Sequence, residues 1–204
     1  MTAETTKHRA IELATVAFAE RGVSGTSLDD LARGLGVTKQ TILYHFGSKA
    51  GLVDAVFRSG AVELRSVLEQ ALVQATLDSP AGAGWERIEA VVRAAFALAV
   101  DRPELLGLLP ELSRLGPAHT GPVLDVLGPL VDAAVAELEV GMDAGRYQRA
   151  DSRLVLVSVY GAVTGVVTET EVLRAVGLDL DLRVAARLRR SVLAFLRSTL
   201  VPVG

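Results

Sequence analysis

The sequence predicts an all-α fold, and three observations carry that expectation. Apolar residues recur at helical spacing, as Ile11, Ala14 and Phe18 do on one face of an opening helix. Breaks at SPAGAG, Asp101-Arg102-Pro103, Gly116-Pro117 and Gly145 to Asp151 cut the later chain into helix-sized lengths. The one β-branched stretch, Leu154 to Val167, runs on through TETEVLRAV to roughly twenty residues, far beyond an ordinary strand, and no partner strands are evident. With 204 residues, half of them hydrophobic, the chain can bury a sizeable core as one large domain or two small ones.

The elements follow in order. A first helix is expected from about Thr6 to Arg21, where Gly22 stops it. Ser27 precedes LDDLARGL with Asp30 three residues on, a near capping box that starts a short second helix, which Gly34 and Gly36 end. Thr38 can cap a third short helix, KQTILYHF, and a long fourth follows Gly47-Ser48. Two further helices near Ser152 to Val176 and Asp181 to Leu200 close the chain. The last is amphipathic, with Leu182, Leu188, Val192, Phe195 and Leu196 mainly on one side.

Composition narrows the function classes. Cysteine is absent, which removes disulfides, thiolate nucleophiles and Cys-based metal sites. The three histidines, at 8, 45 and 119, form no H-E-x-x-H, and no Gly-rich phosphate loop is present. Carboxylate pairs such as Asp29-Asp30 and Glu137 with Glu139 point to different helical faces. Neither catalysis nor a metal or cofactor is expected. The apolar stretch from Leu154 falls short of the ~20 residues a bilayer needs, and the polar opening MTAETTKHRA lacks a signal-peptide core, so a cytoplasmic protein is expected. Net charge is -3; through Gly60 there are 7 Lys and Arg against 6 Asp and Glu, and beyond it 14 against 18. The first part therefore carries the only positive balance, and it is slight.

That first part holds the informative constellation. Two short helices around Gly36-Val37 make a helix-turn-helix candidate, a motif whose first helix crosses the DNA backbone and whose second enters the major groove, although such pairs also occur in ordinary bundles. Leu28, Leu31, Ala32, Leu35, Val37, Ile42 and Phe46 can lock the pair together. Thr38, Lys39, Gln40, Thr41, Tyr44 and His45 remain for the outward face: Gln pairs with adenine, Lys with guanine, and Thr offers a hydroxyl and a methyl. Lys39, Gln40, Thr41 and Tyr44 are the expected base readers. Thr26, Ser27, Thr38 and Lys49, at helix starts, and His45 are expected mainly to hold phosphates; His45 can instead cap the recognition helix.

Over TSLDDLARGLGVTKQTILYHFGSKAGLVDAV and the preceding FAERG, the chain resembles the TetR family of transcriptional regulators. Against the family pattern V-(S/T)-x-G-x-x-Y-x-H-F-x-x-K-x-x-L, the residues Val37, Thr38, His45, Phe46, Lys49 and Leu52 match in order. Gln40 stands where the family often has Gly, and Leu43 where it usually has Tyr. Tyr44, about 100° further round a helix, would then meet a different phosphate or a base. The resemblance implies a DNA-binding domain over residues 1–48 and a helical effector-binding and dimerisation domain over residues 49–204. It also implies a homodimer, usually a repressor, on double-stranded palindromic operator DNA. A small-molecule effector would reorient the two heads so that they no longer fit major grooves about 34 Å apart.

In the larger part Trp85, Phe96, Leu108, Leu112, Met142, Tyr147 and Tyr160 are candidates to line an effector cavity, with ordinary core filling as the alternative. Few charges lie between Glu89 and Arg102, which favours an apolar or aromatic effector. Glu111 and His119 can fix a ligand or sit as surface or loop groups. Leu156, Tyr160, Val163, Val167, Leu188, Val192 and Phe195 are the expected dimer interface on the last two helices, where Gly161, Ala162 and Gly165 permit close approach. The competing reading from another class is a helical protein-interaction module whose helix-turn-helix reads nothing.

Overall fold

A computed structural model describes residues 3–79, 84–168, 170–179 and 182–202, and the described residues form ten helices and no strand. In order they are α1 (Ala3–Arg21), α2 (Leu28–Leu35), α3 (Lys39–Phe46), α4 (Lys49–Asp78), α5 (Trp85–Asp101), α6 (Pro103–Leu115), α7 (Pro117–Asp143), α8 (Ser152–Thr168), α9 (Thr170–Ala175) and α10 (Leu182–Leu200). The expected breaks at Asp101-Arg102-Pro103, Gly116-Pro117 and Gly145 to Asp151 fall at helix ends, and the one at SPAGAG lies mostly outside the described residues. The β-branched stretch from Leu154 is helical, as its length dictates. Helix continues on both sides of residue 169, which lies outside the described residues. Gly34 does not end α2; the stop is Gly36, at φ 69, whose N–H closes on the carbonyls of Ala32 and Arg33. A left-handed residue at this point needs no Cβ, which is why glycine ends the helix.

Two compact units divide the chain. The first is Met1–Glu63 with Arg102–Leu127. Its core gathers Ala14 and Phe18 of α1, Leu28, Leu31 and Leu35 of α2, Ile42 of α3, Leu52 and Val56 of α4, and Leu108 of α6. Val37 and Phe46 pack partly buried against it. The two short helices are thus locked by the apolar set their spacing predicts. The expected boundary at residue 48 marks the end of α3, whereas the compact unit also takes in the start of α4 and all of α6. Helix α6 lies along α1, and a Cβ on Gly107 would come within 2.9 Å of the Ala19 Cβ.

Polar ties flank that close approach. At one end the Arg102 guanidinium donates to Glu104 at 2.5 Å, to Glu63 at 2.7 Å and to Glu12 at 3.1 Å, joining α6, α4 and α1. The carboxylates, Glu104 foremost, hold the guanidinium above its already high pKa. At the other end Glu111 reaches the turn after α1, where its Oε2 accepts the Val23 N–H at 2.8 Å. Glu111 is buried, so the expectation of a surface or loop group there is corrected: the carboxylate serves a buried amide that has left helix α1. His119 pairs with Asp54 at 2.7 Å.

The second unit is Leu64–Asp101 with Gly128–Gly204. Helices α5, α8 and α10 pack against one another. A buried cluster of Leu138, Met142, Tyr147 and Leu200 takes Ile88 and Val155 against it. The Gln148 N–H donates to the Leu200 carbonyl at 2.8 Å, and Arg87 binds Glu137 at 3.1 Å. Among the described residues no helix is long and apolar enough to cross a membrane.

Candidate nucleic-acid interface

The interface is built on α2 and α3. Ser27 caps α2: its hydroxyl accepts the Asp30 N–H at 3.1 Å and donates to the Asp30 carboxylate at 2.5 Å. The Ser27 hydrogen bond, more than the nearby Arg33, holds the Asp30 carboxyl below its ordinary pKa. With its proton committed to Asp30, Ser27 leaves the backbone amides at the start of α2 as the groups free to face a phosphate.

Helix α3 is capped in the same way. The Thr38 side chain accepts the Thr41 N–H at 3.2 Å, and the two hydroxyls lie 3.0 Å apart. Ile42 is buried beneath, with Leu43 and Phe46 half-buried beside it. This anchoring turns Lys39, Gln40 and Tyr44 to solvent, Tyr44 at 84% exposure, while Thr41 and His45 are half-buried. The Tyr44 ring meets His45 edge-on at 5.4 Å, and His45 meets Phe46 at 6.2 Å. Ser48 caps α4 by accepting the Gly51 N–H at 3.0 Å, which sets Lys49 at the first position of that helix.

One expected phosphate contact is corrected. Thr26 is only 1% exposed, and its hydroxyl lies 3.0 Å from the Gly22 carbonyl and 3.2 Å from that of Ala17. Its hydroxyl ties the turn between α1 and α2 to the end of α1, so it cannot reach a DNA strand. Position at a helix start suggested a contact; burial, which the local sequence does not encode, decides against it. Sequence reasoning also missed the ion pair of Lys39 with Asp29, 2.9 Å across the turn, because ten residues of separation around a Gly stop match no helical spacing.

The effector candidates separate by unit. Leu108 is buried in the first unit's core and Leu112 packs partly buried against it, as ordinary core filling requires. Within the second unit Met142 and Tyr147 share one buried cluster and Phe96 is buried. Trp85 is half-buried with the Arg197 guanidinium 5.6 Å from its ring centre, and Tyr160 is exposed. Among the described residues the buried Tyr147 hydroxyl and Arg87 Nε find no hydrogen-bond partner. Burial, more than the neighbouring Glu137, pushes the Tyr147 phenol above its ordinary pKa.

The dimer candidates also sort by burial. Val163 and Val192 are buried within their own unit, which removes them as free contact residues; Leu156 and Leu188 are half-buried. The Val167 side chain lies outside the described residues. Tyr160 at 56% and Phe195 at 60% are exposed, and Leu154 and Val157, which the sequence reading passed over, extend the α8 face that Tyr160 begins.

Two short helices locked through a buried seam, with a polar second helix facing solvent, have the arrangement of a helix-turn-helix. Residues 10–56 match the family model described as bacterial regulatory proteins, tetR family, so this N-terminal segment is similar to that family's domain. The regulator TtgR of Pseudomonas putida is 46% identical over 57 residues, which cover 28% of this chain and 27% of TtgR. The repressor KstR2 of Mycobacterium tuberculosis is 42% identical over 48 residues, 24% of each chain. The chain thus spans about a quarter of the length of these curated relatives in alignment. Its fold is matched far more widely: the solved structure of KstR2 of Mycobacterium tuberculosis, a ketosteroid transcriptional regulator, aligns over 97% of this chain and 95% of that one, with a TM-score of 0.74 at 22% identity. A structure of AibR with isovaleryl coenzyme A and operator DNA covers 80% of this chain and 86% of its own, with a TM-score of 0.67 at 21% identity.

Proposed function

We propose that this chain is a DNA-binding transcriptional regulator that reads a palindromic operator as a homodimer and is released from it by a small molecule, most simply as a repressor in the cytoplasm. The observation that carries the reading is the outward face of α3. Lys39, Gln40 and Tyr44 stand in solvent on a helix whose opposite face is pinned by Ile42 and whose start is fixed by Thr38. Lys and Gln are the side chains that read guanine and adenine in the major groove, and Lys49 and the amides at the start of α2 supply sequence-independent phosphate contacts. Repression and operator binding in the named relatives support the same reading.

The exposed apolar residues Leu154, Val157, Tyr160 and Phe195 support α8 and α10 as the dimer face. An apolar or aromatic effector fits the Ala-, Val- and Leu-rich second unit, and the buried Tyr147 hydroxyl and Arg87 Nε, without a partner among the described residues, are polar groups such a ligand can engage. Binding to duplex DNA across a salt series tests the function against the protein-interaction alternative. A reader that neutralises ~6 to 10 phosphates loses affinity by orders of magnitude between low and moderate salt. A flat salt dependence, or no binding, would favour the interaction module.

A further inference from the structure

The first turn of α2 places two carboxylates beside the reading helix. Asp30 is occupied by its cap, accepting the Ser27 hydroxyl and, at 3.2 Å, an Arg33 nitrogen. Asp29 instead reaches across the turn, and its Oδ2 accepts from the Lys39 Nζ at 2.9 Å. Lys39 is the first residue of α3 and a candidate for pairing with guanine. Between Leu28 and Phe46 the charged residues are Asp29, Asp30, Arg33 and Lys39, so both cations of the helix-turn-helix are matched by carboxylates of one turn. The Lys39 and Asp29 side chains are 48% and 60% exposed, so water and salt screen the pair and it can be exchanged.

We propose that Asp29 is a specificity-determining residue of the DNA-reading site, acting through Lys39. This inference rests on the DNA-reading function proposed above. While Asp29 holds the ammonium, Lys39 is not a free cation for any passing phosphate. Releasing it leaves an unpaired carboxylate near the polyanion, an unfavourable change on every sequence. Only a duplex that presents an acceptor where Lys39 can reach it, such as guanine O6 and N7, offsets that change. Asp29 therefore weakens non-specific binding more than operator binding and widens the ratio between them.

The test measures affinities of the full chain for its selected operator duplex and for a scrambled duplex of the same length and composition, across a salt series. Wild type, Asp29→Asn, Lys39→Ala and the double variant are compared, with circular dichroism showing that each is folded. Asp29→Asn is expected to tighten the scrambled duplex by roughly threefold to tenfold, to tighten the operator less, and to steepen the scrambled-duplex salt slope by about one. Lys39→Ala narrows the ratio by itself. In its background Asp29→Asn shifts both duplexes together and leaves the ratio unchanged. The proposal is overturned if Asp29→Asn leaves the wild-type ratio intact, or narrows it equally without Lys39, which would mark a plain charge effect. A wild-type protein with no sequence preference overturns the DNA-reading function itself, a separate and earlier failure.

Discussion

Glu111 couples α6 to the turn between α1 and α2, and its removal has a magnitude that follows from its partners. In Glu111→Ala the buried Val23 N–H loses its acceptor, a hydrogen bond to an ionised group at 2.8 Å. Leaving such a donor unsatisfied costs about 1 to 3 kcal/mol. The carboxylate also engages Arg114, but that side chain is 72% exposed, so the pair adds only roughly 0 to 1 kcal/mol. The sum is about 1 to 4 kcal/mol. At roughly 2 to 4 °C per kcal/mol for a chain of this size, Tm falls by roughly 2 to 16 °C. Glu111→Gln keeps an acceptor for Val23 without the charge and should lose about 1 kcal/mol, whereas Arg114→Ala should change little. Calorimetry on the three variants gives the order. Because the tie holds the turn from which α2 departs, operator affinity should fall in the same order. Arg114→Ala as costly as Glu111→Ala would refute the reasoning, since the exposed ion pair and not the amide would then be the source of stability.

Three other expectations test separate parts of the structure. Thr26→Val keeps the buried shape but removes the hydroxyl's ties to Ala17 and Gly22; it should cost about 1 kcal/mol and leave salt-dependent DNA affinity unchanged, whereas a phosphate contact would show as a shallower salt slope. On the proposed dimer face, Tyr160→Glu and Phe195→Glu should give folded monomers by sedimentation, while Val163→Glu and Val192→Glu should unfold the second unit; soluble dimers from the first pair would remove that face as the interface. Tyr147 has a folded pKa raised by burial, so its contribution is full below the unfolded value near 10 and is lost as pH rises through the folded value. Chemical denaturation should therefore show a difference between wild type and Tyr147→Phe that is constant near neutral pH and moves against wild type above about pH 10.

Local chemistry made much of the fold legible. Helix starts at Ser27 and Thr38, the stop at Gly36 and the seam of Leu31, Leu35 and Ile42 depend on neighbours within a few residues, and periodicity reports those. What depends on distant chain was not legible. Nothing near Thr26 tells that its hydroxyl turns inward to the Ala17 carbonyl, nine residues back in α1, and nothing near Glu111 tells that Val23, 88 residues earlier, awaits an acceptor. The same limit explains the effector candidates. Leu108 has the spacing of a cavity wall, but its partners are Phe18 and the helices that follow it, which only the tertiary contact of α6 with α1 reveals. On α8 and α10 the periodic pattern found the apolar residues but not their division into inward Val163 and Val192 and outward Leu154, Val157, Tyr160 and Phe195. Helix α8 is apolar around much of its circumference and carries no phase to separate the two, and on α10 Phe195 sits beside the buried Leu196 yet faces out.

The most direct measurement is selection of binding sites from a random duplex library by the purified, folded protein at near-physiological salt, run in parallel with Gln40→Ala. A two-fold symmetric motif is predicted, with half-sites one helical turn apart or a multiple of it. In Gln40→Ala preference should relax at one position of each half-site, at a cost of about 1 to 3 kcal/mol. Failure of the folded protein to enrich any motif, or an identical motif and affinity from Gln40→Ala, would contradict the assignment of α3 as the element that reads DNA.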